Sequence, residues 1–302
     1  MNEAGVPDLE DATEAAKAAT GLMAVVDKLF PGIAIKSSVR GESWTIKRYM
    51  KDAAKYRKRA RDEGYSEDFI AMMCDNMYAS YTRRERFEHV VEFAEESLSQ
   101  DADLHEPEQS WAEDFREHAE RACDEDVRRM WGKVLAGEME KPGSFSKFAM
   151  DILSKMGRRE AEAFERLCSV SVGGKWQEGY QHIVPVVYGF GPEGSWDQLV
   201  DNDSLAALGR YGLIYYRPDM ILPVDAGVPQ TKEMPCRLVI EGVSYLVANE
   251  TGHDVFWPNI KLTDEGNQLA TLCRTGNAPG FHNQVIEGLE QRGCVVCLEA
   301  RG

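Results

Sequence analysis

Residues 130–146 read Met130-Trp131-Gly132-Lys133-Val134-Leu135-Ala136-Gly137-Glu138-Met139-Glu140-Lys141-Pro142-Gly143-Ser144-Phe145-Ser146, and the fold is most legible here. Val127, Met130, Trp131, Val134 and Leu135 recur at helical spacing, and Asp124 stands where an N-cap belongs. The helix must end before Pro142-Gly143, because a residue preceding proline avoids the helical region. Ala136-Gly137 lets a second helix come close, Pro142-Gly143 makes the turn, and Phe145 plugs a core. Ser144 or Ser146 starts the next helix, which carries Phe148, Ile152, Leu153 and Met156 on one face. Glu138, Glu140, Ser144 and Ser146 have the composition of an active-site loop. Every residue here has a folding role, however, so the segment reads as a joint between helices.

Working outward, a helix through Trp111 and Phe115 precedes the joint, and a short helix from Glu160 to Leu167 follows it. Upstream, helical patterns cover Ala12–Phe30, closed by Pro31-Gly32, and Trp44–Glu63, broken by Gly64. Ser66 caps a helix carrying Phe69, Ile70, Met73 and Met77, and a further helix carries Phe87, Val90, Val91, Ala94 and Leu98. Beyond Lys175 the pattern changes. Strand-like runs appear at His182–Val187, Leu213–Tyr216, Arg237–Leu246, Asn259–Leu262 and Cys294–Leu298, with helices at Ser204–Tyr211, Asp264–Cys273 and His282–Arg292. A helix, the step Gly212-Leu213-Ile214, a long hairpin, then Leu262-Thr263-Asp264-Glu265-Gly266 opening another helix resembles a winged-helix module.

The expected fold is mainly α with a smaller α+β part: an N-terminal helical bundle followed by a winged-helix-like C-terminal domain. The divisions by pattern are 1–107, 108–172 and 173–302. The recognition helix expected in the last part is acidic, with Asp197, Asp201 and Asp203 against Arg210, so protein contacts suit it better than a major groove.

Composition narrows the function. The 302 residues carry a formal net charge of −16, which disfavours non-specific nucleic-acid binding by the molecule as a whole. Seven cysteines, an odd number at mostly wide spacing, with no basic, apolar leader at the N-terminus, predict reduced thiols in a cytoplasmic protein, peripheral membrane contact remaining open to it. No apolar stretch is long enough for a transmembrane helix. Charge is unevenly spread. Lys36, Arg40, Lys47, Arg48, Lys51, Lys55, Arg57, Lys58, Arg59 and Arg61 face only Glu42 and Asp52, with Trp44, Tyr49 and Tyr56 interleaved. Such a helix suits nucleic acid or anionic lipid. From Glu92 to Asp126 the chain is strongly acidic, and the two blocks are natural partners within the chain or between subunits.

Other chemistry is thinly supported. The acid–histidine pairs Glu85/His89 and Asp114/His118 lie one helical turn apart but lack further metal ligands. Cys294-Val295-Val296-Cys297 has no second pair and falls in a strand, which predicts buried, unreactive thiols on opposite faces. Phosphate-loop, dinucleotide and nucleophile-elbow motifs do not occur.

Trp111, Asp114 and Phe115, the acidic cap Asp124-Glu125-Asp126, the run Met130 to Glu138 and the turn Lys141 to Ser146 together resemble domain-of-unknown-function family 2806. In that uncharacterised bacterial family a tryptophan, a Leu-Ala-Gly-Glu run and a Pro-Gly-Ser-Phe-Ser turn follow one another. Arg83-Arg84-Glu85-Arg86, Ala161–Phe164, Gly212-Leu213-Ile214 and Leu262–Gly266 extend the resemblance over roughly Tyr81 to Phe281. Phe148-Ala149 departs from a threonine-leucine type pair. The motif positions are Trp111, Phe115, Trp131, Leu135, Gly137, Glu138, Pro142, Gly143, Ser144, Phe145 and Ser146. The resemblance implies no cofactor and no catalytic residue, and it implies a place in stress response or anti-phage defence. The leading expectation is a non-catalytic macromolecular interaction or regulatory protein that binds a protein partner or itself. The alternatives are a nucleic-acid or anionic-membrane binder acting through Lys47–Arg61, and an unrecognised hydrolase.

Overall fold

The computed structural model describes residues 20–30, 44–99, 102–175, 181–185, 200–215, 227–228, 236–240, 242–249, 251, 255–256, 260–273 and 278–299. The protein is mainly helical with a small antiparallel sheet. By contacts it divides into two compact units, 1–150 and 151–302, with the division inside one helix; the sequence pattern drew its lines at 107/108 and 172/173.

The first unit contains α1 (20–29), α2 (Trp44–Asp62), α3 (Glu67–Ser97), α4 (Gln109–Ala119), α5 (Glu125–Glu140) and the start of α6 (Lys147–Lys155). Ser66 accepts from the Phe69 N–H and Asp124 accepts from the Asp126 N–H, so both expected caps form. Of the two serines proposed to start α6, Ser146 makes the cap, accepting from the Ala149 N–H at 3.1 Å. The two helices expected on either side of residue 80 are one, α3, of 31 residues. No glycine or proline interrupts Thr82–Phe87, and the half-buried i,i+4 pair Arg84–Glu88 spans the supposed gap at 3.1 Å.

The second half of α3 crosses α5 and closes an aromatic core. Phe30 meets Phe87 edge-on at 4.8 Å, Phe87 meets Phe115 at 6.1 Å, and Phe115 lies between Trp111, stacked at 5.1 Å, and Trp131, edge-on at 5.7 Å. The approach of the two helices is set by Gly132. A Cβ there would lie 2.5 Å from Phe93 Cβ and 2.7 Å from the Phe93 backbone carbon. The first half of α3 instead pairs with α2 as a two-helix arm with a small core of its own, Ala53, Ala60, Ile70 and Cys74.

The second unit holds the end of α6, α7 (Arg158–Cys168), α8 (Asn202–Arg210), α9 (Asp264–Ala270), α10 (Phe281–Gln291) and the strands β1 (Ser171–Lys175), β2 (Gln181–Pro185), β3 (Gly227–Val228), β4 (Cys236–Ile240), β5 (Val243–Asn249), β6 (Val255–Phe256) and β7 (Cys294–Leu298). Five strands form one antiparallel sheet in the order β2-β1-β4-β5-β7, and β3 pairs with β6. The long run expected at Arg237–Leu246 is a hairpin: Gly242, at φ 75°, turns the chain so that Ile240 pairs with Val243. Phe281, Val285 and Leu289 of α10 pack on Val170, Val172, Leu238, Ile240 and Val247.

Beside the sheet, α7 packs on α8 and on α9. Ile214 forms a single bridge to Leu262, rather than the strand expected over Leu213–Tyr216, whose last residue lies outside the described residues. Thr263 ties this corner together. Its hydroxyl donates to the Gly212 carbonyl at 2.6 Å and accepts from the Gly266 N–H at 2.9 Å. Gly266 is required because any Cβ there would collide with the Leu213 carbonyl. The expected features at Ala12–Ala19, Lys36, Arg40, Ser37–Ser43, Asp197 and Asn259 lie outside the described residues.

Candidate functional site

Two places gather the residues that the sequence singles out. The first is the joint after α5. Glu138 is 3 % exposed, and its carboxylate is turned onto the chain. Its Oε1 accepts from the Gly143 N–H at 2.7 Å and its Oε2 from the Phe145 N–H at 2.9 Å. The carboxylate thus pairs the backbone of the turn that Pro142-Gly143 creates, where Gly143 sits at φ 85°. Burial pushes the Glu138 carboxyl above its ordinary range, and the backbone N–H groups pull against that shift.

The remaining motif residues complete the same joint. Phe145 is buried, and its ring fills the space a side chain at Gly137 would need, 2.9 Å from the ideal Cβ. The Phe145 carbonyl accepts from the Trp111 indole N–H at 2.7 Å, which fastens α4 to the turn. Phe115, Trp131 and Leu135 are buried on the adjoining helices. Ser144 Oγ donates to the Lys141 carbonyl, and Ser146 caps α6. The hydrogen bonds described for these polar groups run to backbone and link α4, α5 and α6 through the turn.

The second place is the arm. Tyr49, Ala53, Tyr56 and Ala60 turn inward onto α3. Tyr49 meets Tyr78 at 5.3 Å and Tyr81 at 5.8 Å, so neither Tyr49 nor Tyr56 stands among the lysines as a free stacking platform. Asp52 accepts from Tyr81 Oη at 2.6 Å, which pushes the phenol up. Arg48 lies 3.8 Å from Asp52, Arg59 2.8 Å from Glu63 and Arg61 2.7 Å from Glu67, and Arg57 donates to the Cys74 thiol at 3.3 Å. Arg61 holds the Glu67 carboxyl below its ordinary range. The ion pairs described for α2 therefore run to its own helix and the hairpin tip, not to the Glu92–Asp126 block.

The ion pairs described for that block run elsewhere: Glu96 with Arg129, Glu106 with Lys28, Asp114 with Lys147, Glu117 with Arg121 and Glu120 with Arg116. On the outer face of α2, Lys51, Lys55 and Lys58 are exposed, and none has an ion-pair partner among the described residues; Lys47 continues this face.

The other candidates fall apart in space. Asp114 is 2.9 Å from Lys147, whereas His118 stacks on Trp131 at 5.6 Å. Among the described residues no group of three His, Cys, Asp or Glu side chains is placed to hold a metal ion. Cys294 and Cys297 do lie in a strand, but only Cys294 is buried, with its thiol pushed up by burial; Cys297 is exposed because β7 is at the sheet edge and its outer face is uncovered. Cys168, beside Cys273, is pushed up further by that thiol and by burial. Thiol alkylation of the native protein should accordingly label Cys123 and Cys297 first and leave Cys74 and Cys294 protected until unfolding, as read by peptide mass. Early labelling of Cys294 would contradict the packing of β7.

Gly132 and Phe93, which set the α3–α5 crossing, were not singled out from the sequence. The signal for them was a glycine in the middle of a strong helical pattern, where it costs about 1 kcal/mol relative to alanine and so requires a packing reason. No described helix is long and apolar enough to cross a membrane. A family model described as "Protein of unknown function (DUF2806)" matches residues 76–285. No curated protein and no solved structure matches the chain.

Proposed function

The chain belongs to the DUF2806 family of proteins of unknown function, and from the geometry of the arm we propose a non-catalytic macromolecular interaction protein that binds nucleic acid through α2. The observation that carries this reading is the lysine face of α2. Lys51, Lys55 and Lys58 extend into solvent without an ion-pair partner among the described residues, while Asp52, Glu63 and Glu67 of the arm pair with arginines. Three ammonium groups at helical spacing form a local positive stripe on a negative molecule, which attracts phosphates and releases their counterions. The apolar side of α2 is covered by α3, which leaves Met50 as its one large exposed apolar side chain among the described residues. Tyr49, Ala53, Tyr56 and Ala60 of this helix are taken up by the arm's own core, which supports a phosphate backbone over a lipid surface.

In this reading α8, the Ile214–Leu262 bridge and α9 form a winged-helix-like module. Thr263, which caps α9 and hydrogen-bonds back to Gly212, supports it, as does the Gly266 contact with Leu213. The module serves protein contacts, since Asp201 and Asp203 stand at the start of α8 against Arg210 at its end.

The test is titration of the full chain against duplex DNA, single-stranded RNA and anionic vesicles over a range of salt. Replacing Lys51, Lys55 and Lys58 together by Glu should weaken nucleic-acid binding by at least about tenfold and flatten its salt dependence by about two to three counterions. Arg57, Arg59 and Arg61 hold contacts within the arm, so their loss confounds folding with binding. Salt-independent binding, or binding equal in the triple variant, would sink the proposal.

A further inference from the structure

The opposite side of the arm carries a different surface. Along α3, Phe69, Met72, Asn76, Ala79 and Arg83 are all exposed, and they follow one another at intervals of three and four residues, the spacing of a coiled-coil seam. Tyr65, just ahead of the helix, extends the stripe by stacking on Phe69 with centroids 5.1 Å apart. Tyr65 and Met72 are 50 % exposed and Phe69 38 %. The side chains that contact α2 are others, among them Ile70 and Cys74, so this seam faces away from the arm's own core. Acidic and basic ends flank it. Neither Asp68 nor Arg83 has an ion-pair partner among the described residues, and both are exposed.

We infer that the seam is occupied by the same seam of a second copy of this chain, running antiparallel about a two-fold axis that crosses the seam midway between Met72 and Asn76. The sequence of side-chain sizes and charges selects that occupant and that direction. Antiparallel pairing sets Phe69 against the second copy's small Ala79, and Met72 against its Asn76. Tyr65 then meets the second copy's Arg83, with Asp68 one turn away, and each contact occurs twice by symmetry. Parallel pairing would oppose Arg83 to Arg83 and Asp68 to Asp68 and would leave a gap at Ala79. A polar Asn76 between Met72 and Ala79 penalises slipped registers, a role asparagine plays at such positions. The resulting four-helix contact leaves both lysine faces of α2 pointing outward, on opposite sides of the dimer, so a nucleic acid is met by two stripes rather than one.

The inference does not depend on what α2 binds and is tested without nucleic acid. Sedimentation equilibrium of the nuclease-treated full chain over a wide concentration range should show a monomer–dimer equilibrium. Met72→Glu places two like charges in the seam and should raise the dimer dissociation constant about a hundredfold. Because Met72 is exposed in the single chain, helical circular dichroism should be unchanged, while the melting temperature should lose the concentration dependence that dimerisation gives the wild type. Asp68→Arg and Arg83→Asp should each weaken the dimer about tenfold, and the double variant should recover wild-type association to within about threefold. A wild-type chain that stays monomeric throughout overturns the inference. So does an association indifferent to Met72→Glu, or a double variant no better than the single ones.

Discussion

Glu138→Ala should destabilise the unit 1–150 by about 2–3 kcal/mol, because it strands the Phe145 N–H and opens the turn around Gly143. The Phe145 bond is buried and carries most of the loss; the Gly143 N–H, at an exposed turn, recovers part of its partner from water. The loss should be visible in urea unfolding followed by the fluorescence of Trp111 and Trp131, which share the core that the joint closes. Glu138→Gln keeps one acceptor and should lose less. The pH dependence separates the two roles of the carboxyl. Its folded-state pKa lies above the unfolded value, so the fold favours its protonated form. The stability this group adds is complete below the unfolded pKa and disappears as pH rises through the raised one. The advantage of wild type over Glu138→Gln should therefore grow as pH falls from neutral into that window. A constant difference would show that hydrogen bonding to the charged form outweighs desolvation. Wild-type stability in Glu138→Ala would remove the carboxylate from the joint altogether.

Gly132→Ala should be at least as damaging, with an expected net loss of about 3 kcal/mol. On an exposed helix this change gains about 1 kcal/mol from propensity. Here the new methyl would lie 2.5 Å from Phe93 Cβ, 2.7 Å from its backbone carbon and 2.8 Å from the Ala94 nitrogen. Backbone cannot rotate away as a side chain can, so α3 and α5 must separate and loosen the aromatic core between them. At the size of this unit the loss corresponds to a fall in Tm of about 6–12 °C, measurable by calorimetry. An unchanged or raised Tm would mean that the two helices do not meet at Gly132. Gly64→Ala is the control: no atom lies within 4 Å of its ideal Cβ, so any cost there arises from its φ of 82° alone.

Caps and turns were the most legible features. Ser66, Asp124 and Thr263 act through a side-chain oxygen and a backbone N–H two or three residues on, so nothing distant is needed to form the contact. The joint was legible for the same reason, since Glu138 reaches only as far as Phe145. Continuity of α3 was not, because the polar run Thr82–Arg86 breaks the apolar pattern without breaking the helix. Periodicity reports which face is buried, and α3 changes its buried neighbour from α2 to α5 along its length. The arm was half legible. Its charge could be counted, but Arg57, Arg59 and Arg61 could not be told from Lys51, Lys55 and Lys58 until their partners were placed.

By itself the sequence determined the family, the mainly helical class and the local hardware of helix ends and turns, because short-range sterics and hydrogen bonds are settled within a few residues. Tertiary structure alone decided that Gly132 lets α5 meet α3, that the ion pairs described for the acidic block run to residues other than those of α2, and that the lysines of α2 are left facing solvent. Those outcomes depend on which helix faces meet, and residues dozens of positions apart carry no mark of their meeting until the core between them has closed.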